Sequence, residues 1–231
     1  TTGEEVYIGG KGINVSYVLK ELGHKSVALG FVAGFTGKAI EDGLAAQGIH
    51  TDFIHLPEGN SRINVKVKHG DETEINGQGP VITEEAINEL FAKLDTLTKE
   101  DILVLAGSIP NTLPEDIYEK ILASLESKGI RVVVDATKDL LLNVLKYHPF
   151  LIKPNNHELG EMFGTVCKTD EDIVHYAKKL QEKGAVNVLI SMAGDGAILI
   201  TEDGQNIKMG TPKGKVVNSV GAGDSMVAGF I

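Results

Sequence analysis

Apolar positions along this chain recur in two rhythms, one near 3.6 residues and one near 2, and together they lay out its elements. A short strand is expected at 6–8, running into Gly9-Gly10-Lys11-Gly12. A helix follows, with Val15, Val18, Leu19 and Leu22 at i, i+3, i+4 and i+7 and Gly23 as its stop. An apolar strand is expected at 26–32 and a helix at 36–47, ended by Gly48. The texture then changes to short, partly alternating strands at 53–55, 62–68 and 72–76. In the second of these, Ile63, Val65 and Val67 share one face and leave the other polar, the pattern of a small antiparallel sheet or lid with one wet side.

From Thr83 onward the alternation is regular. Helices are expected at 83–97, 114–128, 155–163 and 169–183, with a further helix ending at Lys146. Between them fall strands at 101–106, 130–134, 150–153 and 188–191. Thr169 with Asp172 three residues on reads as a capping box. Strands at 197–201 and 206–209 flank Asp203-Gly204 as a hairpin, and a last strand at 215–217 leads into a helix. Strand–helix alternation of this kind predicts an α/β fold with a mostly parallel sheet covered on both faces. No internal repeat or low-complexity linker interrupts it.

Composition narrows the function. With 231 residues, 42% hydrophobic and 23% charged, the chain is long enough for one large globular domain. Its net charge of −10 argues against a nucleic-acid surface, and no apolar run reaches the roughly 18 residues of a membrane helix. One cysteine, Cys167, excludes a disulfide framework and a cysteine-based zinc site. Nothing at the start reads as a signal peptide, so a reducing, cytoplasmic setting is expected. The 27 glycines fall in short clusters, as in loops that approach a ligand closely.

The most informative cluster is Asn218-Ser219-Val220-Gly221-Ala222-Gly223-Asp224-Ser225, which opens the final helix. Small residues at Gly221, Ala222 and Gly223 let an anion approach N–H groups at the positive end of a helix. Asp224 beside that cradle is a poor phosphate ligand, because like charges repel. It suits a base that takes a proton from an attacking hydroxyl. The plainer alternative is a glycine-rich turn with an ordinary first-turn aspartate. A second candidate, Gly9-Gly10-Lys11-Gly12-Ile13-Asn14, pairs a diglycine turn with a cation and an amide. Asn155 and Glu158, three apart, offer oxygen ligands to hydrated Mg²⁺ or spell a helix N-cap with its reciprocal glutamate. Ser191 to Gly196 leaves a strand end through Gly194 and Gly196, to hold a phosphate or to make a turn. A dinucleotide G-x-G-x-x-G is not completed, since Met226 occupies its last glycine slot, and no Walker motif is present. A nucleotide-dependent oxidoreductase is thereby disfavoured. A non-catalytic sugar-phosphate-binding protein would have no need of Asp224.

Taken in order, these four pieces resemble the ribokinase-like (PfkB) carbohydrate kinase family. The stretches 9–16 and 218–230 are similar to its N- and C-terminal signatures, and 61–66 and 74–77 resemble members that act on fructose 1-phosphate. The resemblance implies a three-layer α/β body with a small β-lid, here strands about 4–8 and 53–77, within one domain over 1–231. It implies a cut at both ends, the family's sugar-binding aspartate and the rest of its adenine pocket lying outside the chain. The implied reaction is ATP-dependent, Mg²⁺-assisted phosphorylation of fructose 1-phosphate to fructose 1,6-bisphosphate, with tagatose 6-phosphate as the next candidate substrate. Asp224 would be the base and Gly221, Ala222 and Gly223 the anion hole. Gly10, Lys11, Asn14 and Ser108 would lie on the sugar side, with Arg62 on the substrate phosphate. Lys153, Asn155, Glu158, Ser191, Gly194 and Gly196 would serve ATP, and Asn155 and Glu158 would hold Mg²⁺ through water. The implied partner is a second copy of the chain, joined lid to lid.

Overall fold

The computed structural model describes residues 3–69, 71–136, 138–216 and 220–231. The chain divides into two compact units, Thr1–Leu94 with Ile109–Pro114, and Asp95–Ser108 with Glu115–Ile231.

In the first unit, helix α1 (Lys11–Glu21) begins after Gly10, whose φ of 142° is rarely open to a residue with a side chain. Strands β1 (Val27–Ala28) and β2 (Phe31–Val32) precede helix α2 (Gly34–Ala46). Strands β3 (His50–Thr51) and β4 (Ile54–His55) follow and pair in parallel with β1 and β2 respectively. The single strand expected at 26–32 is thus split. The bonds Asp52 N–H to Ala28 O, Ile54 N–H to Gly30 O and Leu56 N–H to Val32 O nevertheless run through the split as one ladder. Ala28, Leu44 and Ile49 form the core here, with Ile8, Ile13, Tyr17, Ile40 and Phe53 packed against it.

Strands β5 (Asn64–His69) and β6 (Asp71–Asn76) form a two-stranded antiparallel hairpin, and helix α3 (Glu84–Asp95) follows. Two expectations for the lid are corrected. Residues 4–8 carry no strand: no partner lies beside them among the described residues, Val6 is 92% exposed, and only Ile8 turns inward. Residues 53–55 belong to the parallel ladder, because Ile54 and His55 pair with Phe31 and Val32, so the hairpin alone carries the lid pattern.

The second unit is built from β7 (Ile102–Ala106), α4 (Ile117–Leu125), β8 (Arg131–Asp135), α5 (Lys138–Val144), β9 (Leu151–Ile152), α6 (Asn156–Met162), α7 (Asp170–Glu182), β10 (Asn187–Ser191), β11 (Ala197–Ile200), β12 (Asn206–Met209) and α8 (Ala222–Phe230). Among the described residues its strands form a six-stranded sheet in the order β12-β11-β10-β9-β8-β7. The four from β7 to β10 run parallel, each joined to the next through helix, and β11 and β12 close the edge antiparallel. In β8 every residue after Arg131 is buried, and in β10 the first four are. Successive side chains point to opposite faces, so both faces of the sheet are covered. The expected α/β architecture with a mostly parallel sheet is therefore present.

Helix α7 carries its capping box, with Thr169 Oγ1 accepting from Asp172 N–H and Asp172 accepting from Thr169 N–H. Helix α4 starts at Ile117, three residues beyond Pro114, and its last turn tightens to a 3₁₀ segment at Glu126–Lys128 before Gly129. Of the strand expected at 215–217, residues 215 and 216 are not strand, and Val217, with Asn218 and Ser219, lies outside the described residues. No helix among the described residues is long and apolar enough to cross a membrane.

Candidate active site

The second unit gathers its candidate residues where parallel strands end. Gly107 and Ser108 follow β7, Asp135 closes β8, Lys153 and Asn155 follow β9, and Ser191 closes β10. Parallel α/β sheets receive ligands at these carboxyl ends. Backbone bonds hold the ends in register: Gly107 N–H donates to Asp135 O at 3.1 Å, and Ser191 N–H donates to Pro154 O at 3.2 Å. Asn155 and Ser191 form a parallel bridge beyond the regular strands, which joins the two motifs expected to serve the nucleotide.

Helix α8 starts from Gly221, in a left-handed conformation at φ 82°. Ser225 closes the turn, its N–H and its Oγ both donating to Gly221 O at 2.8 and 2.9 Å. The N–H groups of a helix's first turn point out along its start, the geometry on which an anion cradle depends. Asp224 lies in this first turn and is only 5% exposed. Phe150 and Phe230 meet with ring centroids 5.9 Å apart and tie the far end of α8 to the approach of β9.

Lys153 reaches this turn. A Cβ placed on Gly223 would lie 2.9 Å from Lys153 Nζ, so the glycine is what admits the ammonium beside the helix start. Lys153 Nζ is also 3.4 Å from Asp135 Oδ1, with both side chains buried. Tyr118 stands near the same carboxylate. Its hydroxyl donates to Gly107 O at 3.3 Å, and burial, followed by the Asp135 charge, pushes its pKa up to about 12. A cation, a buried carboxylate and the first turn of a helix thus converge on one helix start, which suits transfer of an anionic group to a hydroxyl.

Asn155 and Glu158 form a complete capping box: Asn155 Oδ1 accepts from Glu158 N–H, and Glu158 Oε2 accepts from Asn155 N–H, each at 2.8 Å. Both readings of the pair remain compatible, because a carboxylate has about four lone-pair directions and the cap uses one. A hydrated Mg²⁺ asks for only one or two such oxygens beside the phosphates, so the residues fit it. After Ser191 the chain turns through Ala193–Asp195. Gly196 is fixed by packing, since a Cβ there would lie 2.0 Å from Met209 O at its φ of 91°. Gly194 faces open space, and its carbonyl accepts from Thr211 Oγ1 at 3.0 Å.

In the first unit, Gly10, Lys11 and Asn14 form the start of α1, where Asn14 N–H donates to Gly10 O at 2.8 Å. Lys11 is exposed and Asn14 is half-buried. Arg62 is exposed, and its stem runs beside Gly77 and Gly79, where an added Cβ would lie 3.5 and 3.6 Å from Arg62 Cβ. Three residues escaped the sequence reading: Asp135, Tyr118 and the buried Ser61 next to Arg62. Asp135 had a signal, a carboxylate ending the apolar run Val132-Val133-Val134. Ser61 had none.

A helix start of this construction at the ends of a parallel sheet suits a phosphotransferase of the α/β class, and comparison with known proteins gives its kind. The model for pfkB family carbohydrate kinases matches residues 2–231, and the chain belongs to that family. A carbohydrate kinase is a phosphotransferase with an alcohol group as acceptor. The chain is 53% identical to the 1-phosphofructokinase of Bacillus subtilis (strain 168), over 97% of its own length and 74% of that protein. It is 39% identical to the D-tagatose-1-phosphate kinase of Bacillus licheniformis, over 100% of its length and 76% of that protein. Its fold matches the crystal structure of a candidate phosphofructokinase from Staphylococcus aureus with a TM-score of 0.86 at 49% identity, covering 96% of this chain and 72% of that one.

Proposed function

We propose that this protein transfers the terminal phosphoryl group of ATP to fructose 1-phosphate, giving fructose 1,6-bisphosphate. The observation that carries the reading is the buried Asp224 in the first turn of a glycine-capped helix, with Lys153 drawn in against Gly223. The 53% identity to a 1-phosphofructokinase supports the choice of sugar phosphate. Asp224 takes the proton of the attacking sugar hydroxyl. The N–H groups at Gly221, Ala222 and Gly223 receive the charge that builds on the transferring phosphoryl oxygens. Lys153, Ser191, Gly194 and Gly196 hold the nucleotide phosphates. Mg²⁺, held through water by Asn155 and Glu158, would neutralise phosphate charge. Gly10, Lys11, Asn14 and Ser108 bind the sugar, in a cytoplasmic setting. The test is ADP release over a panel of fructose 1-phosphate, fructose 6-phosphate, tagatose 1-phosphate and tagatose 6-phosphate. The 39% identity to a tagatose-1-phosphate kinase makes that 1-phosphate the competing substrate. A preference for a 6-phosphate would overturn the reading.

Arg62 recognises the substrate's existing phosphate, for which a planar guanidinium offers two parallel donors. Arg62→Ala is expected to raise the KM for the sugar phosphate roughly ten- to a hundredfold, with the KM for ATP within about twofold of wild type. An unchanged sugar-phosphate KM would remove Arg62 from the site.

The hairpin of β5 and β6 also supports a reading of the partner. Ile63, Val65, Val67 and Ile75 are between 46% and 61% exposed, and Val65 stands directly opposite Ile75. On the other face Lys66 pairs with Glu74, whose carboxyl is held below its usual range by that hydrogen bond and charge. A lone two-stranded sheet is marginal in water. A second copy of the chain covers the apolar face, lid to lid. Val65→Glu or Val67→Glu is expected to shift sedimentation from dimer to monomer at micromolar concentration. A wild-type protein that sediments as an active monomer would refute the dimer.

A further inference from the structure

Ser61 is the most heavily hydrogen-bonded residue of the loop that leads into β5, and all its polar groups point to the start of α2. Its N–H donates to Ala33 O at 2.9 Å, and its Oγ accepts from Ala33 N–H at 3.0 Å. Its carbonyl accepts from Thr36 Oγ1 at 2.7 Å. It is buried, and Gly37 closes over it: a Cβ there would come within 3.1 Å of Ser61 Oγ. The residues before it are equally confined. A Cβ on Gly34, at φ 57°, would meet Asn60 Oδ1 at 2.1 Å and Gly59 O at 2.5 Å. Loop 59–61 therefore lies flush on the first turn of α2, through a backbone that only glycine at position 34 admits.

The next residue is Arg62. Its stem lies beside Gly77 and Gly79, where even an added Cβ would make only ordinary contact with it, so the chain is pinned just before Arg62 while the stem beside it is uncrowded. An arginine on a free loop must lose both backbone and side-chain freedom when it binds a phosphate. Here the backbone share of that ordering is already made by Ser61. We propose that Ser61, with Thr36, is a positioning residue for Arg62 and thereby sets the affinity of the site for the phosphate already on the substrate. This rests on the assignment of Arg62 to that phosphate.

The test is a double-mutant cycle in the full chain, read as the KM for fructose 1-phosphate, the KM for ATP and kcat. Ser61→Ala is expected to raise the sugar-phosphate KM about three- to tenfold, leaving kcat and the KM for ATP near wild type. In an Arg62→Ala background the same change is expected to add nothing, because the group it positions is gone. Thr36→Val removes one bond of the three, keeps the side-chain shape, and serves if Ser61→Ala fails to fold. It is expected to show the same selective effect at a smaller size. Equal effects of Ser61→Ala or Thr36→Val with and without Arg62 would overturn the positioning role, as would parallel losses in both KM values. If Arg62→Ala itself leaves the sugar-phosphate KM unchanged, the fault lies with the reading of Arg62, and the two failures are distinguishable.

Discussion

Asp224→Asn is expected to lower kcat by about 10²- to 10⁴-fold, the usual loss when a positioned general base is removed. The replacement is nearly the same size, so the buried first turn of α8 keeps its packing, with Val227 and Ala228 still facing inward. What it loses is the ability to accept a proton. On the proposed reading ATP is held by groups that Asn leaves in place, the N–H groups after Gly221 and the Lys153 ammonium beside Gly223. The measurement is kcat by ADP release together with calorimetric ATP affinity and a melting curve. The expected result is a collapse in turnover with ATP affinity within about threefold, well under 1 kcal/mol. Turnover near wild type would remove Asp224 from the chemistry. A large drop in melting temperature would assign its effect to the fold.

That prediction could be framed from the sequence alone, because the evidence for it is local. Gly221-Ala222-Gly223-Asp224 carries its own geometry: a left-handed glycine, small residues at a helix start and an acid on the first turn. The capping boxes at Thr169 and Asn155 were legible for the same reason, since each is closed within four residues. The hairpin of β11 and β12 was announced by alternation on either side of Asp203-Gly204. Non-local pairing was not legible. Residues 6–8 have strand-like composition, yet a strand exists only where a partner lies beside it, and Val6 and Tyr7 stay exposed. The strand at 26–32 breaks at Leu29-Gly30, although its pairing with residues 50–56 runs on through the break as one ladder. Asp135 and Lys153 are far apart in sequence and meet because β8 and β9 are neighbours in the sheet, an adjacency that no local pattern encodes. Ser61 is the extreme case, its value depending wholly on Ala33, Thr36 and Gly37, which lie 24 to 28 residues earlier in the chain.

The pair formed by Asp135 and Lys153 gives the second large effect, this time on stability. Both side chains are buried, at 5% and 7% exposure, and Nζ lies 3.4 Å from Oδ1. Each ion carries a desolvation penalty of several kcal/mol, which their mutual attraction offsets only while both are present. Lys153→Met or Asp135→Leu, each alone, leaves the partner as a buried charge and is expected to cost about 3–5 kcal/mol of unfolding free energy. Against a typical total of about 5–15 kcal/mol, that is a large fraction. The double replacement removes both ions, and it is expected to recover most of the lost stability, since an apolar pair of similar volume is often neutral or better. Catalysis should not return with it, because the ammonium beside Gly223 is gone. Urea unfolding of the four proteins, with ADP release measured on each, separates the two quantities. The expected outcome is a stable double variant with negligible turnover, which would mean that the fold bears this buried ion pair for the sake of a cation at the start of α8. A double variant as unstable as the sum of the two single changes would show that the pair is not coupled. One that regained wild-type turnover would show that Lys153 takes no part in phosphoryl transfer.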